Sequence, residues 1–150
     1  LNAPVARGRL LASDDDLRAL LAGLHRVAVL GIKTVSQRGQ PAIEVPRYLD
    51  RAGMVIVPVP VYYPEVEAIL GQPVFRRLAD IPGPVDLVNV FRRPQDLAAH
   101  LDDILAKQPG AVWLQSGIRN DAFAAALLDA GIDVVQDRCL MVEHARLLAR

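Results

Sequence analysis

The sequence contains very little cysteine, and this limits the kinds of site that it can build. Cys139 is the single cysteine among 150 residues, so a disulfide within the chain is impossible and a cysteine-based zinc site is not expected. A chain without structural disulfides is typical of reducing compartments. We therefore expect a cytoplasmic protein.

The sequence also lacks an excess of charge of either sign. Its 17 basic and 17 acidic residues give a formal net charge of +0, and its arginines are scattered rather than gathered into a basic run. Proteins that bind nucleic acids normally present a basic face. We therefore expect no nucleic-acid partner.

Long apolar runs are missing as well. No run approaches the ~20 residues that span a bilayer, and the first residues, which include Pro4, Arg7 and Arg9, do not have the layout of a signal peptide. We expect no membrane association. Ser13 followed by three aspartates is a typical helix start, so we interpret residues 1–12 as an N-terminal arm and residues 13–150 as one domain.

What the sequence does have is a regular alternation of apolar strands and helical patterns, with 52% hydrophobic residues overall. Five apolar segments are predicted as strands, at residues 27–30, 54–59, 85–90, 111–115 and 132–135. Helical patterns begin near Ser13, Pro41, Pro94, Asp121 and Glu143, and residues 65–70 are predicted to form one or two helical turns. Strands that alternate with helices predict an α/β fold with a doubly wound, parallel five-stranded sheet and helices on both faces. We expect the strand order 3-2-1-4-5.

The loop after the first predicted strand is the first candidate for binding a ligand. In the expected strand order the chain reverses direction beside this strand, and ligands bind beyond the carboxyl ends of the strands at such a point. Gly31 is followed by Lys33, Thr34 and Ser36, which supply a cation and two hydroxyls where a phosphate would meet a helix N-terminus. The loop is neither the GxGxxG pattern nor the P-loop pattern, so a glycine that only turns the chain is the alternative interpretation.

The ends of the later strands add further candidates. No acid follows the second strand before Glu65, which disfavours NAD, since NAD-binding domains use an acid there to hold the ribose. Arg92 and Arg93 follow the third strand and suit a phosphate-rich ligand, although surface ion pairs would explain either arginine equally well. Gln115 and Ser116 lie at the end of the fourth strand, where polar side chains are placed to touch a ligand.

A catalytic constellation is not visible in the sequence. The three histidines, His25, His100 and His144, lie on different predicted elements. The sequence shows neither a nucleophile paired with a base nor a spacing typical of metal ligands. Cys139 is more typical of a small buried side chain than of a nucleophile. We therefore expect that the protein is not an enzyme.

Three segments carry a resemblance to a known family: VDLVNVFRRP at residues 85–94, VWLQSGI at 112–118 and DRCLMVEH at 137–144. With these segments the chain, from about residue 24 to residue 148, resembles the small bacterial and archaeal CoA-binding proteins. These are single-domain relatives of the CoA-binding domain of succinyl-CoA synthetase α subunits. The resemblance implies a Rossmann-like domain whose cofactor is coenzyme A.

The resemblance and the strand ends together define the predicted CoA site. It comprises Gly31, Ile32, Lys33, Thr34, Ser36, Gln37 and Arg38 after the first strand, Val59 and Pro60 after the second, Phe91 and Arg92 after the third, and Leu114, Gln115, Ser116, Gly117 and Ile118 after the fourth.

The second strand exit departs from the family pattern. Similar proteins usually have Val-Asn-Pro followed by a basic residue, whereas this chain has Val59-Pro60-Val61-Tyr62. The segment that carries the phosphorylated histidine of the synthetase is absent, so the resemblance does not imply ligase activity. We expect non-catalytic binding of CoA or an acyl-CoA. The alternatives are an enzyme acting on an acyl-CoA, or a protein-interaction domain that has lost its ligand and binds an unidentified protein.

Overall fold

The structure is a computed structural model and describes residues 6–148. Within this range the helices are α1 (Asp14–Ala22), α2 (Pro41–Arg51), α3 (Leu101–Lys107), α4 (Asp121–Asp129) and α5 (Leu140–Leu147), with two 3-10 helices at Leu78–Asp80 and Pro94–His100. The strands are β1 (Arg26–Leu30), β2 (Val55–Val59), β3 (Ala68–Ile69), β4 (Gln72–Pro73), β5 (Leu87–Val90), β6 (Ala111–Leu114) and β7 (Asp133–Val135). The third, fourth and fifth predicted strands are therefore β5, β6 and β7.

Five parallel strands form the central sheet, in the order β2-β1-β5-β6-β7. In the register of the sheet, Val29 of β1 lies opposite Pro58 of β2 on one side and opposite Asn89 of β5 on the other. The α/β class and the parallel five-stranded sheet are thus confirmed. The expected order 3-2-1-4-5 is wrong, because the third predicted strand pairs with β1 and leaves β2 at the edge.

Pro58 explains why β2 occupies the edge. The carbonyl of Pro58 accepts a hydrogen bond from the Phe75 N–H at 2.9 Å, from outside the sheet. The N–H and C=O groups of one residue in a parallel strand point to the same side, so the nitrogen of Pro58 also faces outward. Proline has no N–H to donate, and within sheets it is confined to edges and bulges. An interior position for β2 would have left the neighbouring strand without a donor at this residue.

The helices cover both faces of the sheet and produce two apolar cores. Ala28 and Leu30 of β1 point toward α3 and α4, where Ile104 and Leu127 are buried. Val27 and Val29 point to the opposite face, where α1, α2 and α5 contribute buried side chains such as Leu17, Leu49 and Leu140. Strands that are buried on both faces read as continuous apolar runs, which is why the sequence pattern located them.

The segment between β2 and β5 differs from the prediction. Residues 65–70 were expected to form helical turns, but β3 and β4 form a short antiparallel hairpin. Leu70 and Gly71 connect these strands with φ values of +53° and +75°. Two central residues with positive φ define the tight turn that matches the twist of a hairpin.

The chain also runs along the outer edge of β7 near its N-terminus. The Leu11 N–H donates to the Val134 carbonyl, and the Val134 N–H donates to the carbonyl of Arg9. Part of the predicted arm therefore pairs with the sheet, while residues 1–5 lie outside the described range. The closing helix predicted from Glu143 to Ala149 begins earlier, as α5, and Ala149 also lies outside that range.

Candidate functional site

A cavity of about 460 Å³ opens at the carboxyl ends of β1, β5 and β6, beside the start of α2. Its lining residues are Gly31, Lys33, Gln40, Pro41, Ala42, Tyr62, Phe91, Arg92, Arg93, Pro94, Gln115, Ser116, Gly117, Ile118 and Cys139. In the observed strand order the chain reverses direction between β1 and β5, so the cavity lies at the topological switch point of the sheet. The expected order also placed the switch beside the first strand, but its other border is β5, the third predicted strand, and not the fourth.

The loop after β1 forms one wall of the cavity. Gly31 has φ +86°, and a Cβ atom at this position would lie 2.4 Å from the Phe91 carbonyl oxygen. The exits of β1 and β5 therefore touch through backbone atoms. Lys33 follows with its Nζ atom 2.7 Å from Oε1 of Gln40, immediately before α2. This contact holds a cation beside the first turn of the helix.

The outer part of the same loop does not line the cavity. The hydroxyls of Thr34 and Ser36 are 2.7 Å apart, and the Gln37 N–H donates to the Thr34 carbonyl. Arg38 lies in a separate depression of about 350 Å³ that it shares with Arg47 and other residues of α2. These loop residues are therefore not part of the cavity lining.

Arg92 also lines the cavity, and its side chain is held from several directions. Its Nε donates to Nε2 of His100 at 3.1 Å, and one terminal nitrogen lies 3.8 Å from Asp96. The guanidinium carbon lies 5.8 Å from the centre of the Tyr62 ring, within the range of a cation–π contact. The Arg92 side chain is only 16% exposed. It is thus a preorganised cation at the rim of the cavity.

The protonation of His100 is part of this arrangement. Burial lowers the pKa of His100, and the neighbouring Arg92 charge lowers it further, against the smaller opposing effects of Asp103 and Asp96. A neutral imidazole can offer Nε2 as an acceptor, whereas an imidazolium cannot. Arg93 behaves differently, since its exposed side chain pairs with Asp96 at 2.8 Å, as the ion-pair alternative expected.

Gln115 lies at the inner end of the cavity and is 3% exposed. Its Oε1 accepts hydrogen bonds from Nδ2 of Asn89 at 3.1 Å and from the Leu140 N–H at 2.9 Å. The following residues turn the chain away from the sheet, where the Gly117 N–H donates to Oδ1 of Asp137 at 2.7 Å. Cys139, half-buried, precedes α5 and completes this end.

The predicted site residues divide into three groups. Those that line the cavity are Gly31, Lys33, Phe91, Arg92, Gln115, Ser116, Gly117 and Ile118. Those with buried side chains are Ile32, Val59, Pro60 and Leu114, so any contact of these four with a ligand would come through the backbone. Those in the outer part of the loop, which do not line the cavity, are Thr34, Ser36, Gln37 and Arg38. Their binding roles stay predictions.

The prediction missed several cavity residues. Gln40 and Ala42 line the cavity because α2 begins there, and the proline at position 41 was the available signal for that helix start. Tyr62 was noted only as a departure from the family pattern, yet its ring reaches the cavity. Cys139 was treated as a core residue, and it lies on the cavity wall.

Residues 6–148 contain neither a cluster of metal-ligating side chains nor a helix that could span a membrane. No group of three or more histidine, cysteine, aspartate or glutamate side chains in this range is arranged to hold a metal ion. None of the described helices has the length and apolar character needed to cross a bilayer. His144 lies apart from His100, with its Nδ1 atom 2.8 Å from the Tyr48 hydroxyl.

The chain matches one known protein family over most of its length. The family described as "CoA binding domain" matches residues 25–145. A Thermus thermophilus structure is 45% identical, with a TM-score of 0.83, and the match covers 91% of this chain and 100% of that chain. A hypothetical protein from Pyrococcus horikoshii OT3 is 27% identical, with a TM-score of 0.81 and coverage of 99% and 98%.

A curated relative gives the same result. The uncharacterized protein YneT of Bacillus subtilis is 30% identical over 133 residues, which are 89% of this chain and 95% of that protein. The match of the family extends from the start of β1 into α5 and so includes every strand that borders the cavity. This chain belongs to the CoA-binding domain family.

Proposed function

We propose that this protein binds coenzyme A or an acyl-CoA in the cavity at the switch point and does not itself catalyse a reaction. The observation that carries the proposal is that two cations held by neighbouring side chains, Lys33 and Arg92, line the same cavity at the strand ends. Family membership supports CoA as the ligand. A cytoplasmic location fits a CoA-binding protein with a single cysteine.

The residues of the cavity fit the chemistry of CoA. Phosphates suit Lys33 and the start of α2, where the helix dipole favours negative charge. Pro41 has no N–H, and the Ile43 and Glu44 N–H groups donate to the Gln40 carbonyl, so the dipole and the Lys33 charge carry this contact. Arg92 offers terminal N–H groups that can pair with phosphate oxygens. Phe91, Ala42 and Ile118 supply apolar walls for the uncharged part of the molecule. A volume of about 460 Å³ is within the usual range for small-molecule sites.

The exit of β2 favours CoA over NAD. Val59 and Pro60 are buried and carry no carboxylate, so this exit cannot hold ribose hydroxyls in the way that NAD-binding domains do. We place the adenosine part of the ligand on this side of the cavity, over the exit of β2.

The groups around the cavity also support a binding role. The Nε2 atom of His100 is engaged by Arg92, so this imidazole is a support for a cation rather than a free base. The Cys139 thiol has no hydrogen-bonded histidine among the described residues. An activated nucleophile normally has a base within hydrogen-bond reach.

Cys139 is nevertheless the reason to keep one alternative, an enzyme acting on an acyl-CoA, because its thiol lies on the cavity wall. Rapid alkylation of Cys139 that CoA blocks, together with turnover of an acyl-CoA that is lost in Cys139→Ser, would favour this alternative.

A second alternative is a protein-interaction domain. The observation that favours it is Tyr62, which is 63% exposed at the altered β2 exit. Absence of CoA binding would favour it.

Isothermal titration with CoA tests the proposed binding mode. We expect Lys33→Ala and Arg92→Ala each to weaken CoA binding by about 5- to 20-fold, since each removes a charge-assisted contact. Arg18→Ala, on α1, is the control that removes an arginine elsewhere and should leave the affinity unchanged. Unchanged affinity in both cavity variants would refute the proposed position of the phosphates.

A further inference from the structure

A second depression lies where the loop after β1, helix α2 and the turn between β3 and β4 meet. Its volume is about 350 Å³, at the lower end of the range that is usual for small-molecule sites. We call it the arginine depression, and its lining residues are Val35, Arg38, Arg47, Asp50, Arg51 and Leu70. None of these residues lines the cavity at the switch point, so a ligand in this depression would be held by different groups.

Two of the three arginines in this depression have no partner in the described part of the chain. Nine arginines within residues 6–148 form ion pairs with acids. Arg38 and Arg51 are not among them, and neither donates a hydrogen bond in this range. Arg51 lies in the last turn of α2, where the helix dipole favours a cation. Arg38 lies outside the helix, so the dipole gives no reason for its position.

Arg47 is held in place but only weakly neutralised. Its side chain is 25% exposed, and the one acid within 4.0 Å of it in the described chain is Glu44. That carboxylate also lies 3.5 Å from the Gly39 nitrogen. The Nε atom of Arg47 is buried and has no hydrogen-bond partner in this range. The buried part of the side chain limits how far the guanidinium can move, so its charge stays at the depression with little compensation.

The arrangement of the charges favours a doubly charged anion. Arg47 and Arg51 are four residues apart on α2 and therefore share one face of the helix, where like charges repel. Asp50 lines the same depression but forms no ion pair with the arginines in the described chain. The three arginines and Asp50 give a formal charge of +2. A phosphate monoester carries a charge of about −1.5 to −2 at pH 7, and guanidinium groups pair well with phosphate oxygens.

The remaining lining residues favour an ester over a free phosphate ion. Val35 is 51% exposed, and Leu70 is half-buried. These two side chains offer apolar surface beside the arginines, which the organic part of a ligand can cover.

We infer that the arginine depression binds a small phosphate monoester, with the phosphate on the three arginines and the organic part against Val35 and Leu70. The site is separate from the CoA cavity, and the inference does not rest on the proposed function. It gives Arg38, which the sequence placed in the CoA site, a different ligand.

Nuclear magnetic resonance titration of the isotope-labelled protein with phenyl phosphate and with inorganic phosphate, at constant ionic strength, tests the inference. The backbone amides of Val35 and Leu70 report on the arginine depression, whereas those of Gly117 and Ile118 report on the CoA cavity. We expect saturable shifts at Val35 and Leu70, with phenyl phosphate bound at least about threefold more tightly because its ring covers apolar surface. Excess CoA should change this affinity by less than about twofold.

Two variants remove exposed arginines of the depression. We expect Arg38→Ala and Arg51→Ala each to weaken phenyl phosphate binding at Val35 and Leu70 by about 3- to 10-fold, since each removes a cation that faces the phosphate. Arg77→Ala is the matched control, because Arg77 is also exposed and without an ion pair in the described chain but lies outside the depression. It should bind as wild type does.

Four results would overturn the inference. They are shifts confined to Gly117 and Ile118, equal affinity for phenyl phosphate and inorganic phosphate, displacement of phenyl phosphate by CoA at Val35 and Leu70, and unchanged affinity in both arginine variants. A wild-type protein that does not bind CoA would contradict the proposed function and leave these expectations unchanged, so the two failures are distinguishable.

Discussion

At the scale of single residues, the site depends on how Arg92 is held. His100 accepts a hydrogen bond from its Nε, Asp96 lies on its other side, and the Tyr62 ring packs near its guanidinium. These contacts orient the cation before a ligand arrives, and preorganisation reduces the entropic cost of binding. His100 does not line the cavity, so its contribution is indirect and acts through Arg92.

The protonation of His100 should make CoA binding depend on pH. Its pKa is lowered in the folded protein, so it stays neutral as the pH falls past the ordinary histidine value and becomes charged only below that. The folded state then binds fewer protons than the unfolded state, and stability falls as the pH drops through this window. Below the lowered pKa, the imidazolium can no longer accept from Arg92.

We therefore expect CoA affinity to fall on acidification from pH 7.5 to pH 5.5 by a larger factor in wild type than in His100→Gln. Glutamine offers an acceptor oxygen at every pH, so this variant should bind within about threefold of wild type at pH 7.5. The CoA phosphates titrate identically in both experiments, so their effect cancels when wild type is compared with His100→Gln. Identical pH profiles would contradict a role for His100 in positioning Arg92.

Gly31 supports a second prediction at this scale. Gly31→Ala should lower the free energy of unfolding by at least about 3 kcal/mol, because the methyl group would meet the Phe91 carbonyl and the residue has a positive φ. Gly39→Ala is the matched control, since its φ is +83° but nothing lies within 4 Å of the added atom. It should cost only about 1–2 kcal/mol. Urea unfolding measures both, and equal losses would contradict the close approach of β1 and β5.

At the scale of elements, the apolar runs predicted the strands but not their neighbours. Pro58 was the available signal, because a strand that contains proline belongs at an edge. With β2 at the edge, the third predicted strand pairs with β1, and the order in predicted-strand numbering is 2-1-3-4-5. The cavity then lies at the gap between β1 and β5. The hydrogen bond from the Phe75 N–H to the Pro58 carbonyl joins two residues that no local sequence pattern connects.

Asp103 of α3 stabilises a neighbouring element. Its two carboxylate oxygens accept from the Leu78 and Ala79 N–H groups at 2.7 and 2.9 Å, at the start of a 3-10 helix. Asp103→Ala should lower the free energy of unfolding by about 1.5–3 kcal/mol. Asp102→Ala, an exposed neighbour on the same helix, should change it by less than about 0.5 kcal/mol. Thermal or urea unfolding distinguishes them, and equal effects would contradict this role.

The site was predictable where strands end and unpredictable where separate elements meet. Lys33, Arg92 and Gln115 follow strands directly, so sequence position located them. The strand ends and the resemblance also brought in Leu114 and its counterpart Ile32, whose side chains are buried in the two apolar cores. Position beside a strand end does not show whether a side chain faces the cavity or the core. Gln40 lines the cavity because α2 begins there and its side chain contacts Lys33. Pro41 signalled the helix start, but the strand ends alone did not indicate this contact.

At the scale of the whole molecule, a neutral protein concentrates positive charge in one crevice. The formal net charge is +0, yet Lys33, Arg92 and Arg93 lie around the same cavity. Two apolar cores, one on each face of the sheet, hold the strands that position these cations. The phosphate binding that we propose would therefore depend on the local placement of these cations and not on an overall basic surface.

Titration of the wild-type protein with CoA, with NAD and ATP as parallel controls, tests whether the protein binds CoA selectively. Native mass spectrometry should first confirm that no ligand has co-purified. We expect micromolar binding of CoA and at least about tenfold weaker binding of NAD and ATP, because the β2 exit has no acid for the NAD ribose and only CoA carries the pantetheine arm. Equal binding of the three ligands, or no binding of CoA, would contradict it.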